Sequence, residues 1–267
     1  RRRTLVGLIR ALAFVGGLCL LFCVAGLAEE LPRSADSDGP LSDPSHWRRW
    51  LPEKTDAGDF SLPAIATLPP LTIATDDPTL QRFKDQALAQ KWATGPASLP
   101  WNRLALELIV KYQQNPLRAA RVLAHMHTAT HDAIVGLAVE SSEETTQAVA
   151  VHAAAAGVLA HFYPRESPGR LESIGIGAML AVAASAQMSP QTLDFARAAG
   201  RRAAAEAIRR ALGDGGDANW NPADRPSPAA HVWRAAPPLN LSNPSEPLAS
   251  KWRTWALADG REIQPPP

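Results

Sequence analysis

One stretch of the 267-residue chain concentrates side chains able to hold a metal or move a proton: Ala124-His125-Met126-His127-Thr128-Ala129-Thr130-His131-Asp132-Ala133. Imidazole suits both tasks, because its unperturbed pKa lies near neutrality and either ring nitrogen can offer a lone pair. Spacing decides which histidines can cooperate. At about 100° per residue on a helix, His127 and His131 share a face and His125 points nearly opposite. One helix therefore offers a metal the pair His127 and His131 and no third imidazole. Thr128 follows His127, where the zinc-protease motif HExxH requires Glu. Leu123, Met126 and Ile134 lie on the same face, so the expectation is two histidines packed and hydrogen-bonded inside a helical bundle. His127 and His131 remain the candidate metal ligands, and no metal is expected to be held.

The other chemical candidates are sparser. Gly213-Asp214-Gly215-Gly216-Asp217-Ala218-Asn219 is acidic, but calcium-loop spacing needs ligands at alternate residues and Gly216 interrupts it, which leaves a helix exit and turn. Glu143, Glu144, Glu172 and Glu206 lie near helix starts or beside Arg201, Arg202, Arg209 and Arg210, a pattern of solvated faces. There is no GxSxG elbow and no Walker loop, and Cys19 and Cys23 are the only cysteines. No residue is assigned a catalytic or cofactor-binding role.

Proline placement shows which elements position these residues. Of 24 prolines, only Pro116, Pro164, Pro168 and Pro190 fall between residues 101 and 215, so that stretch is the one free to build long helices. Asp77-Pro78 opens a helix running to about Thr94, Trp101 to about Gln113 forms the next, and Pro116 starts a third through Leu137. Ser141 with Glu144 reads as a capping box for a helix reaching Tyr163, Pro168 opens another, and Ser189-Pro190 opens one ending at Leu212-Gly213. No stretch alternates with period two for long enough to make a strand. The fold expected is an all-α helical bundle of about six helices, counting an N-terminal signal or anchor helix, with long proline-rich irregular segments. Residues 29–76 read as a linker with anchor points at Trp47, Trp50 and Phe60. Residues 216–267 carry Trp233, Trp252 and Trp255, too many large rings for a free tail, and are expected to lie across a helical surface.

Three arginines precede an uncharged run from Ala11 to Ala28 that ends in small residues, the order of an export signal. At about 1.5 Å per residue the same run is long enough to stay in a bilayer as an anchor. The body is thus expected outside the cytoplasmic membrane, with membrane contact through residues 1–28 alone. The formal net charge is +1 and residues 1–28 hold four arginines and no acid, so the rest carries −3. A slightly acidic body has no electrostatic footprint for nucleic acid.

The order of elements resembles a known superfamily. Trp101-Asn102, then Asn115-Pro116-Leu117-Arg118-Ala119-Ala120-Arg121-Val122-Leu123-Ala124 and His127-Thr128-Ala129-Thr130-His131-Asp132-Ala133, are similar to the first helices of vanadium-dependent haloperoxidases and type 2 phosphatidic-acid phosphatases. The likeness continues through Ala148 to Ala155, Phe162-Tyr163-Pro164, Gly200 to Ala204, Gly213-Asp214-Gly215, and Trp252, Thr254 and Trp255. The chain departs from the pattern at His131, where family members often carry an aromatic residue, and near Ala156, where they often carry a histidine. The resemblance implies an exported enzyme that binds vanadate or phosphate through a Lys-x6-Arg-Pro segment, a Pro-Ser-Gly-His segment and a later Arg-x5-His-x3-Asp segment. Arg225-Pro226 has Ala218 where the lysine should stand, and Ser227-Pro228-Ala229-Ala230-His231 lacks the glycine. The expectation is therefore an N-terminal scaffold fragment, inactive alone, with the anion site and any vanadate in sequence beyond Pro267 and the C-terminal half of the same protein as its partner. The alternative is a non-enzymatic, membrane-tethered helical module that binds a partner or a metal.

Overall fold

Alanine and glycine make up much of the longest apolar stretches, and residues this small let helix axes approach closely. The computed structural model of the chain describes residues 48–51, 76–138, 141, 143–167, 169–224, 234, 237 and 243–257. These belong to one compact unit, Pro44–Pro267. They form seven α-helices and no strand among the described residues: α1 (Pro78–Arg82), α2 (Gln86–Ala93), α3 (Ser98–Lys111), α4 (Pro116–Ala138), α5 (Glu144–Phe162), α6 (Arg170–Ser185) and α7 (Pro190–Leu212). The expected all-α bundle is the fold observed. The expected signal or anchor helix, residues 1–28, lies outside the described residues, among which no helix is long and apolar enough to cross a membrane.

Local chemistry sets the helix ends. Asp77 Oδ1 accepts from Thr79 N at 2.7 Å and Leu80 N at 3.2 Å, with Pro78 in the first turn where no backbone donor is needed. The single helix expected over 77–94 is two. Asp85 caps anew, accepting from Ala87 N at 2.8 Å and Leu88 N at 3.4 Å, and Phe83 turns inward to pack on the core. Helix α3 starts three residues before Trp101, after Gly95 takes a φ of 75°. Ser189 Oγ accepts from Thr192 N at 3.1 Å to start α7, as expected. The expected capping box does not form, because α5 begins at Glu144 and Ser141 Oγ instead accepts from Glu143 N at 3.3 Å. Gly169, at a φ of 75°, precedes α6, and Pro168 lies outside the described residues.

Helix α5 is the axis of the bundle, in contact with α3, α4, α6 and α7. Its sequence, Val149 through Leu159 with His152 and Gly157 included, is apolar all round, as a helix enclosed by neighbours must be. Closest approach falls at Gly200 of α7, where a Cβ would stand 2.1 Å from Ala150 O and 2.8 Å from Ala153 Cβ. Gly175 of α6 plays the same part opposite Ala156, at 2.5 Å, and Gly177 opposite Phe83, at 2.4 Å. Ala150 O is helix backbone and cannot move aside. Gly200→Ala should therefore lower stability by about 1–3 kcal/mol, the usual range for overpacking a rigid core, whereas an exposed glycine-to-alanine change inside a helix stabilises. Urea denaturation followed by circular dichroism measures this.

Candidate functional site

Helix α4 carries chemistry on two sides. On one, His127, Thr130, His131 and Ile134 border an open groove of about 570 Å³, closed by the turn through Thr94–Ser98, the first turns of α5 from Glu144 to Val151, and Val182 of α6. The helical spacing thus brings His127 and His131 to one face, as the sequence requires. The expectation that they pack inside the bundle is overturned. His127 is exposed and His131 half-buried, because Met126 and Ala129 take the core-facing positions while Leu123 and Ile134 sit at the margin.

Each groove histidine is oriented through one ring nitrogen. His127 Nε2–H donates to Asn102 Oδ1 at 3.1 Å, which leaves Nδ1 as an acceptor. Although His127 is exposed as a whole, partial desolvation of its ring holds the imidazole below its usual pKa. His131 Nδ1 pairs with Asp132 Oδ1 at 2.9 Å. That carboxylate also accepts from Trp50 N and Leu51 N, both at 2.9 Å, and so ties residues 48–51 to α4. The linker anchor there is Leu51, which is buried, and not Trp50, whose ring is exposed; Trp47 and Phe60 lie outside the described residues. Among the described residues no three His, Cys, Asp or Glu side chains are placed to hold a metal.

On its other side α4 presents Arg121 and His125, one turn apart, to the exit of α7. Arg121 Nε and Nη2 donate to Asp214 Oδ2 and Oδ1 at 2.8 and 3.0 Å, Nη2 also reaches Ala211 O at 2.8 Å, and Nη1 reaches Asp217 Oδ1 at 3.0 Å. His125, 1% exposed, donates Nε2–H to Asp214 Oδ2 at 3.0 Å, and Gly216 N–H donates to Oδ1 at 2.7 Å. All four lone-pair positions of Asp214 are used. Burial alone would raise its pKa, but the bonds from His125, Arg121 and Gly216 outweigh this and hold it well below the usual carboxylate range. Gly215 takes a φ of 81°, and a Cβ on Gly216 would meet Arg121 Nε at 2.2 Å, so this helix exit needs both glycines.

The tryptophan tail closes over this hub. Trp255 meets the His125 ring edge-on at 4.9 Å and lies 4.1 Å from the Arg210 guanidinium, whose Nη2 donates to Thr254 O at 2.6 Å. Trp252 lies 5.2 Å from the Arg118 guanidinium, and Arg118 grips Glu246 with two bonds of 2.6 and 2.7 Å. The expectation that the tail lies across a helical surface holds for Trp252 and Trp255, while Trp233 is outside the described residues. Arg210 and Glu206, expected on a solvated face, depart from it: one stacks under Trp255 and the other, half-buried, pairs with Arg209. Glu143, Glu144 and Glu172 are exposed, as expected. Arg225 and His231 fall outside the described residues.

His152 of α5 was not singled out by the sequence. It is fully buried, its Nδ1 accepts from Trp101 Nε1 at 2.8 Å, and Trp92 packs on both rings. Burial pushes it down to about 4, with the Trp92 backbone offsetting part of the shift. Among family models, curated proteins and solved structures, none matches the chain. The site is therefore read from its own geometry: an oriented pair of imidazoles in an open groove, and a buried charge hub that fastens the tail.

Two outcomes follow from these charges. The unfolded chain takes up the His152 proton near pH 6.5 and the folded chain only near 4, so stability is full above 6.5 and falls as pH drops through this window. The loss from His152 should reach about 3 kcal/mol, seen as a fall in the urea midpoint that His152→Gln reduces. His127 and His161, also depressed by burial, add to the same slope. Arg121→Met strands a buried carboxylate and should lower stability by about 3–5 kcal/mol, with less loss in the double variant Arg121→Met/Asp214→Leu than the two single losses added together. Denaturant titration of the four proteins completes that cycle.

Proposed function

We propose that the chain is the N-terminal helical scaffold of an exported haloperoxidase-like or acid-phosphatase-like enzyme, whose vanadate- or phosphate-binding site is supplied by sequence following Pro267. The observation that carries this reading is the use made of Asn115-Pro116-Leu117-Arg118-Ala119-Ala120-Arg121, the segment in which the family resemblance is densest. An oxyanion site needs several positive groups and oriented amides converging on open space. Arg118 and Arg121 instead face Glu246, Asp214, Asp217 and the Gly216 carbonyl, while Asn115 donates to Glu246 at 2.8 Å. The motif is a clamp that fixes the exit of α7 and the segment around Glu246. On this reading the partner is the rest of the same protein, vanadate or phosphate binds there, residues 1–28 direct the body across the membrane, and nucleic acid has no part.

The groove at His127 and His131 favours a second reading, a non-enzymatic, membrane-tethered helical module that binds a partner or a metal. One experiment separates the two. Residues 1–267 should show neither peroxide-dependent bromide or chloride oxidation with vanadate nor phosphomonoester hydrolysis, and the chain extended by its downstream sequence should show one of them. Turnover by residues 1–267 would overturn the scaffold assignment, and an extended chain inactive in both assays would favour the binding module.

A further inference from the structure

The groove has a chemistry that the scaffold role leaves unused. Its volume, about 570 Å³, lies within the range of small-molecule sites. Its floor is aliphatic, with Val151 and Val182 buried and Ile134 half-buried. Among its described lining residues there is no lysine or arginine, and Glu144 is the one carboxylate. Glu144 is exposed in the first turn of α5, and its carboxylate makes no hydrogen bond or ion pair among the described residues. His127 also lines this space, and its Nε2–H is given to Asn102. An anion entering here would meet a negative charge and no lysine or arginine among the described lining residues. An ammonium group, which has three donors and no acceptor, would meet a carboxylate.

We propose that this groove binds a small cationic amphiphile, an arylalkyl- or alkylammonium whose nitrogen meets Glu144 and whose apolar part lies on Ile134, Val151 and Val182. Desolvation also disfavours the charged form of the His127 ring, a competing positive charge on this side of the groove. Apolar contact supplies affinity, and the Glu144 charge supplies the choice among ligands of one size. The site is independent of the hub that fastens the tail, so it stands whether or not the scaffold assignment does.

The test uses residues 1–267 and three probes of one shape: 2-phenylethylamine, 2-phenylethanol and 3-phenylpropanoate. Each is titrated at pH 7 while the imidazole signals are followed by NMR. The amine should saturate, shift the His127 and His131 signals and leave His125 and His152 unmoved. It should bind about fivefold more tightly than the alcohol, and the acid should bind more weakly than either. Glu144→Gln, an exposed change, should bring the amine to the affinity of the alcohol and leave the alcohol as it was. Equal binding of the amine and the acid, shifts confined to His125, or an amine affinity unchanged in Glu144→Gln would each overturn the proposal.

Discussion

A guanidinium and a carboxylate meet between α4 and the end of α7, and most of what surrounds them is arranged around that meeting. Arg121 and Asp214 are both largely out of water, where an unpaired charge would be strongly destabilising. Their bonds to each other do not suffice, because each group has further donors or acceptors to satisfy. Asp217, the Ala211 carbonyl, His125 and the Gly216 amide complete the set. Each recruit constrains something else: His125 fixes the rotation of α4, Gly216 fixes the turn after α7, and the Trp255 ring seals His125 from above. A pair that contributes little net stability alone thereby sets the register of two helices and a tail.

The remainder of the core is held by contact of another kind. Where Gly200 crosses α5 there is no room for a methyl group, and the buried alanines from Ala150 to Ala156 keep the helices close enough for dispersion to act over their whole length. At one end of the core large rings take over, where Phe83, Trp92, Trp101 and His152 pack together. Within that cluster Trp101 Nε1 donates to His152 Nδ1, while the buried His152 Nε2 has no partner among the described residues. The imidazole is there as an acceptor, and its suppressed basicity follows from its packing.

What could be read from the sequence divides by distance along the chain. Helix starts at Asp77, Pro116 and Ser189 were legible because a cap acts within three residues. The break at Asp85 was missed because a second cap inside an apparently continuous helix carries no proline or glycine to mark it. Periodicity put His127 and His131 on one face and His125 on the other. It could not say which face was outward, since Leu123 and Ile134 look like core residues yet are only half-buried. Arg121 and Asp214 stand 93 residues apart, and no local rule pairs them. The acidic turn at Gly213 to Asn219 was legible as a turn, but its buried carboxylate was not. The groove is assembled from three helices and a loop, a juxtaposition only the folded chain contains.

The bonds from Asn115 and Arg118 to Glu246 close a circuit of about 130 residues, with sequence separations of 131 and 128, in a body without a cysteine. A disulfide there would constrain the unfolded chain as well as the native one. A charged clamp constrains only the native chain, and it forms against the loop-closure entropy of everything between its jaws. Long-range closure of this kind is slow compared with the helix–helix contacts that precede it. Residues 243–257 thus fasten after α4 and α7 are in place, and the same order reversed makes them the first to release. The bundle would keep its helices through that release while Trp252 and Trp255 came free, which gives the molecule a partly opened state short of unfolding.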